Sequence, residues 1–154
     1  AWESAVLGDE HLPSYCRNGW MRHGAMAEAT VSMMDQFDVR PRNPRLVSSK
    51  FSGGNQQKLV LARELGRAPS VLLVGQPTRG VDIGAIEFIY GQLRRMRDAG
   101  CAVLIVSSEL DEILALSDRV IVMNHGRVAG DLAIAECSEA RLGMLMAGAE
   151  GVPA

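Results

Sequence analysis

Two short stretches of the chain have the residue types of a chemical site. The first is "FSGGNQQKLVLAREL", residues 51–65, in which Ser52, Gly53 and Gly54 stand where a helix begins. The first turn of a helix leaves backbone N–H groups unpaired, and two glycines let a bulky ligand approach them. The Ser52 hydroxyl adds a donor and the helix dipole favours a negative group by about 0.3–1 kcal/mol, so phosphate is the natural ligand. Taken alone, Ser-Gly-Gly reads more simply as the end of a loop before a capped helix. The second stretch is "VLLVGQPT", residues 71–78. Four β-forming apolar residues stop at Gly75 and Gln76, and Pro77 and Thr78 turn the chain away. Such a strand end delivers side chains to a site, yet neither Gly75 nor Gln76 is an acid, a base or a nucleophile.

The elements that position these stretches divide near residue 50. Before it come a short amphipathic segment over Trp2–Leu7, a polar loop through Trp20 and a helix over about Met21–Phe37. Pro41 and Pro44 make "VRPRNPRLVSSK" a connector. Helices and strands then alternate: a helix through Lys58–Gly66, a strand at Val71–Val74, and a helix over Ala85–Ala99 with Ile86, Ile89, Leu93 and Met96 on one face. "CAVLIVSS" is a continuous apolar strand of the kind buried on both faces of a parallel sheet, and Glu109–Leu116 is a helix. "DRVIVMNHGRVAGDL" predicts a hairpin turning at Asn124–Gly126, and Ser138 caps a last helix to Ala147. The pattern is α/β, part of a doubly wound parallel sheet whose sites lie at the strand C-termini.

With 154 residues, 47% of them apolar, the chain has material for about one domain with a real core. A net charge of −2 with Lys50 and Lys58 as the only lysines offers no electrostatic footprint for nucleic acid. The longest apolar run, Ala102–Val106, is far short of the roughly 20 residues of a membrane span, and the N-terminus has no signal-peptide pattern, so a cytoplasmic location is expected. Cys16, Cys101 and Cys137 lack metal-ligand spacing and read as reduced thiols, and no metal site is expected.

Taken together, Ser-Gly-Gly-Asn-Gln-Gln heading a helix, the strand ending in Gln-Pro-Thr, "RGVDIGAIEFI" and "VSSELDE" resemble, in that order, the ATP-binding subunits of ABC transporters. The likeness extends from Trp2 to Asp131 and is to the sugar and nucleoside importer branch, with "QPTRGVDIGAIEFI" nearer the nucleoside type. In that family SGGNQ is similar to the signature motif, VLLVGQ to the Walker B strand, Gly80–Asp82 to the D-loop and VSSELDE to the switch region. Phe51 replaces the usual leucine. The resemblance implies a P-loop NTPase (RecA-like) core preceded by a helical subdomain: residues 1–50 helical, 51–131 the C-terminal half of the core with its closing hairpin, and 132–154 a helix and tail.

The departures from the family pattern are chemical. Hydrolysing members end the Walker B strand in Asp-Glu, for Mg²⁺ and for the attacking water; here those places hold Gly75 and Gln76. Gly75 has no side-chain oxygen for Mg²⁺. Gln76 can orient a water but cannot take its proton, and loss of a general base lowers rates about 10²–10⁴-fold. Ser108 stands at the switch-histidine position. No Gly-x-x-x-x-Gly-Lys-Ser/Thr sequence occurs. The resemblance therefore implies the C-terminal part of a second, degenerate nucleotide-binding domain without its P-loop and first core strands. ATP with Mg²⁺ would be bound only in a two-domain assembly, where Ser52, Gly53, Gly54, Asn55 and Gln56 complete the partner domain's site in trans and Asp82 lies at the interface. The implied partners are that second nucleotide-binding domain, transmembrane permease subunits and, indirectly, a substrate-binding protein, at the cytoplasmic membrane face.

Three other readings stay open: a non-transport ABC ATPase, a stand-alone regulatory pseudo-ATPase, and an unrelated α/β enzyme using Ser107, Ser108 and Glu109. The last lacks a base or oxyanion geometry, and "SSELDE" is explained as a helix cap followed by first-turn acids. "LRRMR" reads as a solvated helix face, and Met33, Met34, Met144 and Met146 as core filler. Trp2 and Trp20 are expected to pack the helical part, with a groove for a membrane-subunit helix as the other reading. A sheet lacking its first strands exposes an edge, so self-association of the isolated chain is expected.

Overall fold

The computed structural model describes residues 1–81 and 83–148. The chain forms two compact units, one of Ala1–Leu72 with Pro77–Ala102, the other of Leu73–Gln76 with the chain from Val103 onward.

The first unit is mainly helical. Helix α1 (Trp2–Ala5) leads to a hairpin of β1 (Cys16–Arg17) and β2 (Trp20–Met21), then to α2 (His23–Gln36), α3 (Gly53–Gly66) and, after strand β3 (Val71–Gly75), α4 (Ile83–Asp98). The loop expected through Trp20 is in part this hairpin, which shortens the helix predicted from Met21. Its two central residues, Asn18 and Gly19, have φ of 52° and 79°, the left-handed geometry that Asn-Gly tolerates in a two-residue turn. Trp20 stands on the hairpin 81% exposed and does not pack the helices, whereas half-buried Trp2 lies against the His23 ring at 4.9 Å. The unit's core comprises Ala5, Val6, Met26, Met34, Phe37, Val39, Leu59, Leu61, Ala62, Ile89 and Leu93. On α4 the face predicted from periodicity is the inner one: Ile89 and Leu93 are buried, Ile86 and Met96 half-buried, and Arg94, Arg95 and Arg97 face solvent. The N-terminal ammonium donates to the Leu46 carbonyl (2.6 Å) and the Trp2 amide to that of Pro44 (3.0 Å), fastening α1 to the connector.

The second unit holds the end of β3, β4 (Ala102–Val106), α5 (Leu110–Leu116), the hairpin β5 (Arg119–Asn124) and β6 (Arg127–Ala133), and α6 (Glu139–Met146). Strands β3 and β4 pair as a two-stranded sheet. The Ala102 amide donates to the Ser70 carbonyl and the Gln76 amide to that of Val106, so both strands run the same way. The β5–β6 hairpin turns at His125–Gly126 as predicted, with Val120 opposite Leu132 and a bulge after Val122. Val120, Val122, Leu132 and Leu142 form the core here, closed by Leu110, Ile113, Leu114 and Leu145. Ser138 caps α6 by accepting the Arg141 amide (3.2 Å).

Burial departs from the sequence reading in two places. The β4 run was expected to be covered on both faces, but Leu104 and Val106 are 55% and 63% exposed, while the alternate side chains, Val103 and Ile105, are half-buried. Met34 is buried as core filler, whereas Met144 and Met146 lie on the outer side of α6, 49% and 42% exposed.

Candidate functional site

The N-terminus of α3 is built by its own first residues. Ser52 has extended backbone angles (φ −61°, ψ 158°), which turn its side chain back over the first helical turn as an N-cap. Its Oγ accepts from the Asn55 side-chain amide at 2.9 Å and, at 3.5 Å, from the Asn55 backbone amide. With both contacts made to the oxygen, the remaining capacity of the hydroxyl is to donate, the polarity a phosphate oxygen requires. Ser52 and Gly53 are exposed, and Gly54 is buried against the unit.

Asn55 does more than head the helix. Its Oδ1 accepts the Arg40 backbone amide at 2.7 Å, so one side chain joins the cap to the connector. Beside that contact Arg40 donates to Asp38 (2.8 Å), and this hydrogen bond, with the Arg40 charge next, holds the Asp38 carboxyl below its ordinary range. Gln56 is exposed, and its Nε2 donates to the Phe51 carbonyl at 2.9 Å. It also lines a cavity of about 130 Å³ with Ser4, Ser48, buried Phe51, Leu59 and Val60. The bridging role of Asn55 was not read from the sequence, since Arg40 lies fifteen positions away and only its backbone is used.

The turn after β3 packs on the same helix end. Gly80 has φ 74°, and the Val81 amide donates to the Thr78 carbonyl (3.3 Å). A Cβ on Gly53 would stand 2.8 Å from the Gly80 carbonyl oxygen, so the glycine at this place is required by the protein's own backbone. Asp82, expected at the interface, lies outside the described residues.

In the second unit the strand end is a different kind of site. Gly75 closes β3, and Gln76 follows with φ 51°, a left-handed conformation that glutamine adopts at a cost of about 1–2 kcal/mol. Its backbone amide donates to Val106 (2.8 Å) and its side-chain Nε2 to Ser108 Oγ (3.2 Å). The structure thus brings together Gln76 and Ser108, the two residues that the resemblance led us to expect at the general-base and switch-histidine positions. Neither can take up a proton near neutral pH, and Gly75 offers no side-chain ligand, so the donor set does not fit Mg²⁺. Among the described residues no group of three His, Cys, Asp or Glu side chains is placed to hold a metal. Ser107, beside them, supports the fold, its Oγ accepting the Glu109 amide (3.0 Å) at the head of α5. The acids Asp111 and Glu112 follow in the first turn.

No family model matches the chain. It is 41% identical over 146 residues to the nucleoside import ATP-binding protein NupA of Lactococcus lactis, covering 95% of this chain and 29% of that protein. It is 43% identical over 141 residues to the ribose import ATP-binding protein RbsA 2 of Rubrobacter xylanophilus, covering 92% of this chain and 27% of that protein. The chain thus spans less than a third of the length of these relatives. A solved dimeric ATP-binding cassette in a post-hydrolysis state with ADP and phosphate superposes with a TM-score of 0.63 at 22% identity, over 84% of this chain and 56% of the other. The identity along nearly the whole chain and the shared fold make this chain similar, over its length, to just under a third of the ATP-binding subunits of ABC transporters, the relatives being named for the import of nucleosides and of ribose.

Proposed function

We propose that this chain is the part of an importer's second nucleotide-binding domain that closes over ATP held by the first, without hydrolysing ATP at its own strand end. The observation that carries the reading is the contrast between two places. At α3 the donor geometry is intact, with Ser52 Oγ engaged as an acceptor by Asn55 and left to donate outward. At the end of β3 the acids are replaced by Gly75 and by Gln76 bonded to Ser108. Ser52, Gly53, Gly54, Asn55 and Gln56 contribute to ATP in trans, Gln56 acting through the Phe51 backbone it holds, and Asp82 lies at the same interface. ATP and Mg²⁺ are held by the P-loop of the partner domain.

In this reading residues 1–50 are the helical subdomain, 51–131 the C-terminal half of a RecA-like core, and 132–154 the closing helix and tail. The partners are the other nucleotide-binding domain and the permease subunits, with a substrate-binding protein acting through them. The transported class is simple sugars or nucleosides, and the location is peripheral at the cytoplasmic membrane face. No helix among the described residues is long and apolar enough to cross a membrane.

The test has two arms. The purified chain should show no Mg²⁺-dependent ATP turnover, and measurable turnover abolished by Gln76→Ala would overturn the reading. In a reconstituted two-domain subunit, Ser52→Ala should lower turnover at the partner's site about 10- to 100-fold, the worth of a hydrogen bond to a charged group. Unchanged turnover there would remove the signature role.

A further inference from the structure

Gly53 and Gly80 are twenty-seven positions apart, yet the carbonyl of one closes on the Cα of the other. Where a Cβ on Gly53 would stand, the Gly80 oxygen is 2.8 Å away, and its carbonyl carbon is 3.8 Å away. The obstructing atom is backbone, held in a turn by the Val81 amide on the Thr78 carbonyl and by Gly80 at φ 74°. It cannot swing aside as a side-chain tip would. Gly8, Gly130 and Gly148 also have an atom within about 3 Å of the same position, but there it is a side-chain atom, whereas Gly24 on α2 and Gly91 on α4 have nothing within 4 Å. On the other side the same helical turn is tied to the connector through Asn55 and the Arg40 amide.

We infer that the first turn of α3 and the Thr78–Val81 turn move as one piece, so that engagement or loosening of the Ser52 end is transmitted to the segment entering residue 82. The functional meaning rests on the proposed role of α3 at ATP; the mechanical coupling does not. It gives the chain a route by which closure on a phosphate is felt in the turn that leads into α4. It also assigns Gly80 as a positioning residue, acting through Gly53 and not on the ligand.

The coupling is tested on the purified chain by amide hydrogen exchange, reading Val81, whose bond to Thr78 reports the turn, and Gln56, whose bond to the Ser52 carbonyl reports the helix end. Gly53→Ala should speed Val81 exchange about tenfold, as overpacking against backbone does, while Gly24→Ala leaves it unchanged. Ser52→Ala adds no bulk and loosens only the cap, and it should speed Gln56 and Val81 together. If Gly53→Ala does not fold, Ser52→Ala decides alone. Faster Gln56 exchange with Val81 unaltered would overturn the coupling and leave the turnover test of the proposed function standing. Joint acceleration with unchanged turnover in the two-domain subunit would do the reverse.

Discussion

Replacing Leu104 by lysine should convert a self-associating chain into a monomer. In the parallel β3–β4 pair, the bond from the Gln76 amide to Val106 sets Leu73 beside Leu104 on one face. On that face Leu73, Leu104 and Val106 are 73%, 55% and 63% exposed, roughly two whole apolar side chains, each worth about 1.5–3 kcal/mol on full burial. Two copies meeting through this face would gain about 6–12 kcal/mol gross, against about 4–15 kcal/mol of lost translational and rotational freedom. The balance predicts weak, reversible association, strengthened if the open strand edge also pairs. A lysine at 104 removes one anchor and sets two like charges in the contact. Sedimentation equilibrium should show the wild-type average mass rising with concentration and the Leu104→Lys mass staying that of one chain. A wild-type chain that stays monomeric throughout, or a variant that follows the wild-type curve, would refute the reasoning.

Three further outcomes are expected. Leu142→Ala should destabilise the second unit by about 2–5 kcal/mol in a denaturant titration, because Leu142 is 1% exposed among Val120, Val122 and Leu132. Phe37 and Phe88 meet edge-on at 5.9 Å with the Lys58 ammonium 4.8 Å from the Phe88 ring, so Phe88→Leu should lose about 1 kcal/mol beyond the area change, and a double-mutant cycle with Phe37→Leu should recover a coupling of similar size. The Arg119 hydrogen bond holds the Asp131 carboxyl below its ordinary range. That stabilising contribution is present above the unfolded pKa near 4 and is lost as pH falls through the lower folded value, so Asp131→Asn should flatten the acid side of the stability profile.

The local signals in the sequence were sufficient for most elements. Ser52 before two glycines is a cap wherever the helix packs, the spacing of Ile86, Ile89, Leu93 and Met96 defines an inner face, and His125–Gly126 turns the last hairpin because its φ angles suit a two-residue loop. The Asn18–Gly19 pair carried the same turn signal, but two-residue strands are too short to produce alternation beside it. That the strand ends in Gly75 and Gln76, with no acid, was equally legible, being a matter of residue identity alone.

Contacts between distant residues were decided only by the tertiary structure. Nothing local to Gly53 announces the Gly80 carbonyl, nor does Asn55 announce the Arg40 amide, since both use backbone atoms that every residue possesses. Gln76 and Ser108 are joined across 32 positions by the pairing of β3 with β4. Exposure was decided there too. An apolar run such as Ala102–Val106 records that burial is favourable, but which of its faces is covered depends on what packs against the sheet, and that is a property of the assembled fold.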